Sequence, residues 1–216
     1  MRQRLVVVAR WPAPGRCKRR LAASCGSAVA AAGVQRALTA HTLRVARQAA
    51  VACGARLELV ADGVGPRARQ RWARQLGVTH SAAQGGGGLG CRMQRQLQRA
   101  FRAGAERVVL IGTDLPGLEC GDLLAAFAAL ARQPLVLGPA RDGGYWLIGL
   151  NRSGFSRAGA GLMSGIPWGS DRVLDLTLER ARLLALAPTL LRRQSDLDRR
   201  ADLRPWLAPP AAAWSR

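Results

Sequence analysis

The chain has 216 residues, of which 49% are hydrophobic, and this describes one soluble globular domain, 1–216, with a frayed tail at 208–216. No run approaches the roughly 20 apolar residues that span a bilayer, and the apolar run near the start is too short for a signal peptide, so we expect a cytoplasmic protein without a membrane span. The formal net charge of +20 would attract anionic substrates, but its arginines are scattered singly or in pairs, so no specific nucleic acid is expected as a partner.

Apolar runs alternate with amphipathic segments along the chain, which is typical of an α/β protein. The predicted strands are 4–9, 56–61, 107–112, 134–137, 145–150 and 188–191. The predicted helices are 27–53, 67–76, 92–103, 122–132 and 171–186, with Gly54 and Gly104 as stops for the first and third. The strands at 134–137 and 145–150 are too close for a helical crossover, so we expect one antiparallel strand in a mostly parallel sheet.

The loop ARWPAPGRCKRRL follows the first predicted strand and contains Lys18, the only lysine among 33 Lys and Arg residues. An ammonium on a flexible stem is a compact point charge, whereas a guanidinium is a wide planar fork. Loops between a strand and the next helix are where α/β proteins bind anions. Lys18 is therefore a candidate phosphate ligand and catalytic residue, and a solvated surface lysine is the alternative.

The segment VVLIGTDLPGL places Asp114 just after an apolar strand. Open α/β sheets bind ligands at the carboxyl ends of their strands, and Mg²⁺ prefers hard oxygen ligands such as one or two carboxylates. Asp114 is therefore the leading candidate for a metal ligand and a second catalytic residue. The alternative is a residue that caps the following turn.

The segment QGGGGLGCRM, residues 84–93, has five glycines beside the start of a predicted helix. Backbone without Cβ atoms can approach a ligand closely, and the first turn of a helix offers free amides. The pattern is neither GxGxxG in a Rossmann context nor GxxxxGKS, so it predicts no particular cofactor. A flexible loop is the alternative interpretation.

The segment LVLGPARDGGYWLIGL, residues 135–150, joins two predicted strands through an Asp-Gly pair, which is an ordinary hairpin signal. Arg141 and Asp142 lie close in sequence to Tyr145 and Trp146. This polar and aromatic group suits a hydroxylated substrate, whereas packing of the aromatic rings in the core is the alternative.

The segment RRQSDLDRRADL, residues 192–203, carries Asp196 and Asp198 after the last predicted strand. A spacing of two places both carboxylates on one face if the extended chain continues that far. Asp198 could complete a metal site with Asp114, or either aspartate of this segment could N-cap a helix beginning near Arg199.

Together these segments resemble the GT-A-like nucleotide-diphospho-sugar transferase superfamily, which includes the molybdenum cofactor guanylyltransferases and many glycosyltransferases. The chain is most similar to a bacterial subfamily of largely unassigned function, one branch of which is named for arsenosugar-type glycosyl transfer. The matching strings cover almost the whole chain and are ARWPAPGRCKRRLA, QGGGGLGCRM, LIGTDLPGL, GPARDGGYWLIGL and GIPWGSDRVLDLTLERA.

The resemblance implies a three-layer α/β/α sandwich with a mixed, mostly parallel seven-stranded sheet. It also implies Mg²⁺ or Mn²⁺ as cofactor, bound by Asp114 and Asp198. The nucleotide and phosphate ligands predicted on the matching segments are Arg10, Gly15, Lys18, Arg20, Gly87, Gly88 and Leu89. The substrate-binding residues predicted in the same way are Asp142, Gly143, Gly144, Tyr145 and Trp168.

The chain departs from the subfamily pattern in three places. Gly88 replaces an acidic residue before Leu89, Arg19 replaces a threonine, and the tail reads DLDRRADL where the subfamily has DxDTPEDL. These departures favour a lower activity than that of the subfamily and weigh against the assignment of Asp198 as a metal ligand.

These features predict a metal-dependent transferase that uses a nucleotide or nucleotide-sugar substrate and an unidentified acceptor. The extent of the resemblance favours a glycosyltransferase that uses a nucleotide-diphospho-sugar. The lysine loop favours a nucleotidyltransferase that releases pyrophosphate from a nucleoside triphosphate. The competing hypotheses are a non-enzymatic nucleic-acid-binding protein and a catalytically decayed member of the fold.

Overall fold

The computed structural model describes residues 2–203, so the predicted frayed tail at 208–216 lies outside the described residues. The strands are β1 (Gln3–Arg10), β2 (Ala55–Asp62), β3 (His80–Ala83), β4 (Arg107–Ile111), β5 (Leu135–Pro139), β6 (Tyr145–Asn151) and β7 (Pro188–Leu190). The α-helices are α1 (Arg19–Cys25), α2 (Ala28–Cys53), α3 (Pro66–Gln75), α4 (Leu89–Arg102), α5 (Cys120–Ala129), α6 (Arg152–Ala158) and α7 (Val173–Leu183). Short 3₁₀ turns lie at Gly161–Met163 and Arg200–Leu203.

The strands form one mixed sheet in the order β3-β2-β1-β4-β6-β5-β7. Only β6 runs antiparallel to its neighbours, β4 and β5, and the other pairs are parallel. Residues 140–144 are too few for a crossover, so β5 and β6 form a hairpin. The prediction of a mixed, mostly parallel seven-stranded sheet is confirmed.

Helices cover both faces of this sheet. In β1, Leu5 and Val7 pack in the layer of α2, α3 and α5, whereas Val6 packs in the layer of α4, α6 and α7. A parallel strand that is covered on both faces reads as a continuous apolar run, and LVVVA is such a run. The predicted three-layer arrangement is confirmed. Among the helices of residues 2–203, none is long and apolar enough to cross a membrane.

Three short elements, β3, α1 and α6, were not predicted as separate elements from the sequence. The sequence of β3 is HSAA, whose small and polar side chains carry little strand propensity, and β3 is ordered by pairing with β2. The helices α1 and α6 have seven residues each, too few for a helical pattern to stand out.

Among the helix boundaries that differ from the predictions, two have clear local reasons. Helix α4 begins at Leu89 rather than at residue 92, because the extended backbone of Gly88 makes that residue the N-cap. Helix α7 ends at Leu183 rather than at residue 186, because Ala185 has a left-handed backbone with φ 51°. The first difference brings the glycine-rich loop directly onto a helix N-terminus.

Asp122, in the first turn of α5, binds two residues of the segment after β7. Its buried carboxylate accepts hydrogen bonds from Arg192 Nε, from Arg192 Nη2 at 2.7 Å and from Gln194 Nε2 at 3.1 Å. It also accepts one from the backbone N–H of Glu119 at 2.9 Å. Burial raises the pKa of Asp122, but these bonds outweigh that effect and hold the pKa below its ordinary value. The ionised carboxylate therefore stabilises the fold.

We expect Asp122→Asn to destabilise the protein by about 1–3 kcal/mol near neutral pH, because the charge-assisted bonds from the half-exposed Arg192 weaken. A lowered folded pKa means that this stabilisation is complete above the ordinary Asp pKa and is lost as the pH falls through the folded pKa. Urea unfolding of both proteins at about pH 7 and below about pH 3 measures the difference. A difference that stays constant over this range would contradict the role of the charge.

Candidate active site

The carboxyl ends of β1 and β4 lie side by side at the point where the connections of the sheet change direction. Open α/β sheets bind their ligands in the crevice at such a point. A cavity of about 520 Å³ lies here, lined by Ala9 and Arg10 at the end of β1 and by Thr113 and Asp114 after β4. The lysine loop and the Asp114 loop therefore open onto one cavity.

Lys18 lies between these two loops, and only 3% of its side chain is exposed. The Nζ atom is 2.5 Å from Oδ1 of Asp114, 2.5 Å from the carbonyl oxygen of Leu197 and 3.4 Å from Oδ1 of Asp198. A buried ammonium needs such partners, because leaving water without them is costly. Lys18 is therefore a buried, paired cation and not a solvated surface lysine.

The backbone of Lys18 is left-handed, with φ 45° and ψ 46°. This conformation costs a residue other than glycine about 1–2 kcal/mol. Strained residues of this kind persist where the surroundings hold them, and they concentrate at functional sites. Here the three oxygen contacts of the ammonium hold Lys18 in place at the start of α1.

The segment after β7 brings two carboxylates to the same cavity. Leu197 donates its backbone N–H to the carbonyl oxygen of Asp114 at 2.9 Å, and its side chain packs against α1 and α2. Asp196 and Asp198, on either side of it, both line the cavity, although β7 ends at Leu190 and does not extend to them. The carboxylate of Asp198 also lies 3.5 Å from Arg20 Nη1.

The amides around the 3₁₀ turn Arg200–Leu203 bind other side chains than those of the two cavity aspartates. Asp202 Oδ2 accepts hydrogen bonds from the backbone N–H groups of Asp198 at 2.8 Å and Arg199 at 2.7 Å, just before the turn. The first amide of the turn, that of Arg200, donates to Ser24 Oγ at 3.0 Å. The side chains of Asp196 and Asp198 line the cavity.

Asp196 belongs with the cavity carboxylates, although the sequence analysis selected only Asp198 from this segment. Its Oδ1 atom is buried and has no hydrogen-bond partner among the described residues. Burial, with the carboxylates of Asp114, Asp142 and Asp198, raises the pKa of Asp196 to about 7. A perturbed carboxyl group in a cleft is a candidate functional group. The alternating sequence Asp-Leu-Asp was the signal that could have identified it.

Arginines hold the glycine-rich loop in a defined conformation. Arg95 Nη1 donates to the carbonyl oxygen of Gln84 at 2.7 Å, and Arg92 Nε donates to that of Gly87 at 2.8 Å. Arg92 also pairs with Asp62 at 2.7 Å, and this contact ties the loop to the end of β2. With φ 92°, Gly87 adopts a backbone that other residues rarely take. These contacts give the glycine-rich loop a defined conformation beside the cavity.

The β5–β6 hairpin supplies a polar and aromatic wall. Asp142 Oδ1 accepts a hydrogen bond from the backbone N–H of Gly144 at 3.0 Å, and both residues line the cavity. The ring of Tyr145 meets that of Trp168 edge to face, with centroids 6.1 Å apart. Gly143 has φ 85°, and a Cβ there would collide with the backbone of Asp171, so this position requires glycine.

Most of the predicted site residues meet at this cavity. Those that line it are Arg10, Lys18, Arg20, Leu89, Asp114, Asp142, Gly144, Tyr145, Trp168 and Asp198. Four predicted residues lie within a few positions of these lining residues in the sequence but do not line the cavity themselves, namely Gly15, Gly87, Gly88 and Gly143.

Some polar lining residues were not predicted. Gln35 lies in the first half of α2 and donates from Nε2 to Oγ1 of Thr113 at 2.9 Å, while Gln84 Nε2 donates to the carbonyl oxygen of Ala9 at 2.9 Å. Both glutamines are buried at the cavity. A glutamine within a long helix carries no local signal of this role, because only the contact between α2 and the segment after β4 reveals it.

Within residues 2–203, no three His, Cys, Asp or Glu side chains are grouped closely enough to hold a metal ion as they stand. The Lys18 ammonium lies beside two of the cavity carboxylates, those of Asp114 and Asp198. Carboxylate oxygens are nevertheless the ligand type that Mg²⁺ and Mn²⁺ prefer, and Asp196 Oδ1 is buried with no hydrogen-bond partner among residues 2–203. The side chains are therefore of the chemical type that binds a divalent cation, whereas their described arrangement around Lys18 is not that of a metal site.

Comparisons with known proteins agree with this architecture. A Desulfovibrio desulfuricans structure named "putative nucleotide-diphospho-sugar transferase" is 30% identical, with a TM-score of 0.82 over 96% of this chain and 87% of that chain. CMP:2-keto-3-deoxy-manno-octonic acid synthetase complexed with CTP is 12% identical, with a TM-score of 0.59 over 95% and 97% of the two chains. Rv0371c of Mycobacterium tuberculosis in complex with manganese is 20% identical, with a TM-score of 0.57 over 96% and 98%.

Among curated proteins, no sequence matches the chain. The sequence profile of the family described as uncharacterized protein conserved in bacteria (DUF2064) matches residues 18–170, from Lys18 to the residues just after Trp168. This span is more than half of the chain and includes Lys18, Asp114 and the β5–β6 hairpin, which all contribute to the lining of the cavity. The chain therefore belongs to the DUF2064 family and has the GT-A-like fold of nucleotide-diphospho-sugar transferases.

Proposed function

We propose that the protein is a metal-dependent glycosyltransferase that uses a nucleotide-diphospho-sugar. The observation that carries the proposal is the buried Lys18 ammonium, which pairs with Asp114 and Asp198 near the carboxyl ends of β1 and β4. Groups of both signs at this position suit a substrate with phosphates and a divalent cation. The name given to the Desulfovibrio relative, which is 30% identical, supports the choice of substrate class.

The carboxylates of Asp114, Asp196 and Asp198 would hold Mg²⁺ or Mn²⁺. A divalent cation bound there would supply positive charge to the diphosphate oxygens of the substrate. The manganese complex of Rv0371c shows that a protein of this fold binds such an ion.

The cations of the chain would stabilise the leaving diphosphate. Negative charge grows on the diphosphate as its bond to the sugar breaks, and groups that are already oriented stabilise this charge without reorganisation. Lys18, Arg10 and Arg20 all line the cavity on the side of the lysine loop. We assign the binding of the diphosphate to these three residues.

The hairpin wall would bind the sugar and its acceptor. Trp168 is held in place because it packs over Gly90, where a Cβ atom would come within 2.6 Å of the indole Nε1. An aromatic surface at one end of the cavity and the Asp142 carboxylate beside it suit the apolar face and the hydroxyl groups of a sugar. We assign the orientation of the sugar to Asp142, Tyr145 and Trp168.

Nucleotidyl transfer is the second candidate, and the lysine loop favours it. Both reactions release a diphosphate, which is a nucleoside diphosphate in glycosyl transfer and pyrophosphate in nucleotidyl transfer. The same cationic groups serve either reaction, and the fold also occurs in the CTP-bound synthetase. The released product is therefore the observation that separates the two candidates.

The test is a panel of nucleoside triphosphates and nucleotide sugars, each with and without Mg²⁺ or Mn²⁺, measured by thermal unfolding. A ligand present at about 100 times its Kd should stabilise the protein by about 2.7 kcal/mol. We expect metal-dependent stabilisation by nucleotide sugars, followed by release of a nucleoside diphosphate. Release of pyrophosphate would assign nucleotidyl transfer, and no stabilisation by any member of the panel would contradict both candidates.

We expect duplex and single-stranded nucleic acid to bind weakly at physiological salt, with no sequence preference and with affinity that falls steeply as salt rises. The reason is that the arginines are scattered over many elements and several are engaged, such as Arg92 with Asp62 and Arg99 with Glu58. Fluorescence anisotropy with labelled oligonucleotides at increasing salt checks this. Nanomolar, sequence-selective binding at physiological salt would make a nucleic-acid-binding protein the better description.

A further inference from the structure

The oxygen atoms around the Lys18 ammonium form the kind of environment that binds a metal ion. They are Oδ1 of Asp114 and the carbonyl oxygen of Leu197, both at 2.5 Å, and Oδ1 of Asp198 at 3.4 Å. Carboxylate and carbonyl oxygens are the hard ligands that divalent cations such as Mg²⁺ and Mn²⁺ prefer. The ammonium therefore lies at the position that these oxygens offer to a cation.

The local charges explain why a cation is needed there in the absence of a ligand. The carboxylates of Asp114 and Asp198 both face the same ammonium, and Asp196 Oδ1 is buried at the same cavity with no hydrogen-bond partner in the described part of the chain. Arg20 does not replace Lys18, because its side chain is 62% exposed and it reaches only the other oxygen of Asp198, at 3.5 Å.

We propose that Lys18 is the resident cation of the Asp114–Asp198 pair and that a divalent ion must displace its ammonium to bind there. This inference rests on the proposed function. The long side chain of lysine allows Nζ to move several ångströms while the backbone stays in place. The phosphates of a bound substrate are the partners that would receive the displaced ammonium, so metal and nucleotide should strengthen each other's binding.

The proposal predicts that removal of the Lys18 charge changes the affinities for nucleotide and for free metal in opposite directions. A role for Lys18 as a phosphate ligand alone would not produce this result. Replacing Lys18 by a neutral residue removes a phosphate ligand, which weakens nucleotide binding. The same replacement removes the competitor for the carboxylates, which strengthens the binding of free metal. A charge-assisted contact corresponds to roughly tenfold to a hundredfold in affinity, and we expect a gain of at least about tenfold for Mn²⁺.

The experiment measures Mn²⁺ binding to the metal-free, full-length protein without nucleotide, by electron paramagnetic resonance or calorimetry. It compares the native protein with Lys18→Met and with Arg20→Met, a matched control that removes one positive charge beside Asp198 without vacating the position between the carboxylates. We expect a gain of tenfold or more for Lys18→Met and less than about threefold for Arg20→Met. A double variant that adds Asp114→Asn to Lys18→Met tests whether the gain in Mn²⁺ affinity depends on the Asp114 carboxylate. We expect the double variant to lose the gain.

Equal Mn²⁺ affinity of the native protein and Lys18→Met would overturn the inference and leave the proposed function intact. Equal gains in both single variants would also overturn it, because a general change of the local field would then suffice. Absence of Mn²⁺ binding in every protein, even with nucleotides present, would overturn the metal dependence of the proposed function and the inference with it. Lys18→Gly, which suits the left-handed backbone, provides the same measurement if Lys18→Met does not fold.

Discussion

Asp114→Asn is expected to remain folded and to lose roughly 10²- to 10³-fold of the metal-dependent activity, the range found when one preorganised electrostatic group is removed. The asparagine keeps the shape of the side chain and an oxygen that can accept from Lys18 Nζ. It deletes the negative charge that a divalent cation requires. The carboxylate of Asp114 is 44% exposed at the cavity, so the loss of its ion pair should cost the fold only about 1 kcal/mol.

Two measurements check this prediction. One is thermal unfolding in the presence of nucleotide, with and without Mg²⁺ or Mn²⁺, and the other is turnover of the nucleotide identified by the panel. Asp198→Asn should show a smaller loss of the same kind. Asp175→Asn is the matched control, because it removes one carboxylate from an exposed position of α7. If Asp114→Asn kept its metal-dependent nucleotide binding, Asp114 would be a turn residue and the active-site assignment would be wrong.

Lys18→Ala is expected to weaken nucleotide binding by about tenfold to more than a hundredfold, because charge-assisted bonds to phosphate contribute about 1.5–3 kcal/mol each. Titration with the nucleotide identified by the panel measures the loss. Lys18→Gly should lose the same affinity, since both variants lack the ammonium. It should be more stable than Lys18→Ala by about 1 kcal/mol, because glycine adopts the left-handed backbone of position 18 without strain.

The comparison of Lys18→Ala with Lys18→Gly separates the effect of losing the ammonium from the effect of the left-handed backbone at position 18. Urea unfolding measures the stability difference, and isothermal titration measures the affinity. Unchanged nucleotide affinity in both variants would exclude Lys18 from the binding of phosphates. A difference in affinity between them would show that the backbone conformation, and not the ammonium alone, positions the ligand.

Local patterns in the sequence were enough to predict the main elements and to bring Lys18 and Asp114 to one end of the sheet. The run LVVVA predicts a strand that is covered on both faces, and Ser27 and Gly54 delimit α2 as its N-cap and C-cap. Lys18 and Asp114 were placed at the cavity because each follows an apolar strand, and the carboxyl ends of parallel strands meet at one edge of the sheet.

Long-range contacts decided what the sequence could not. The bond from Lys18 Nζ to the carbonyl oxygen of Leu197 spans 179 positions, and Gln35 reaches Thr113 across 78. The pairing of β3 with β2 orders a segment of weak strand propensity, and the half-buried carboxylate of Asp196 reaches the cavity only when Leu197 packs against α1 and α2. Residue type and periodicity report which face of an element is apolar, but which polar groups meet depends on how separate elements pack, and that is determined by the tertiary structure alone.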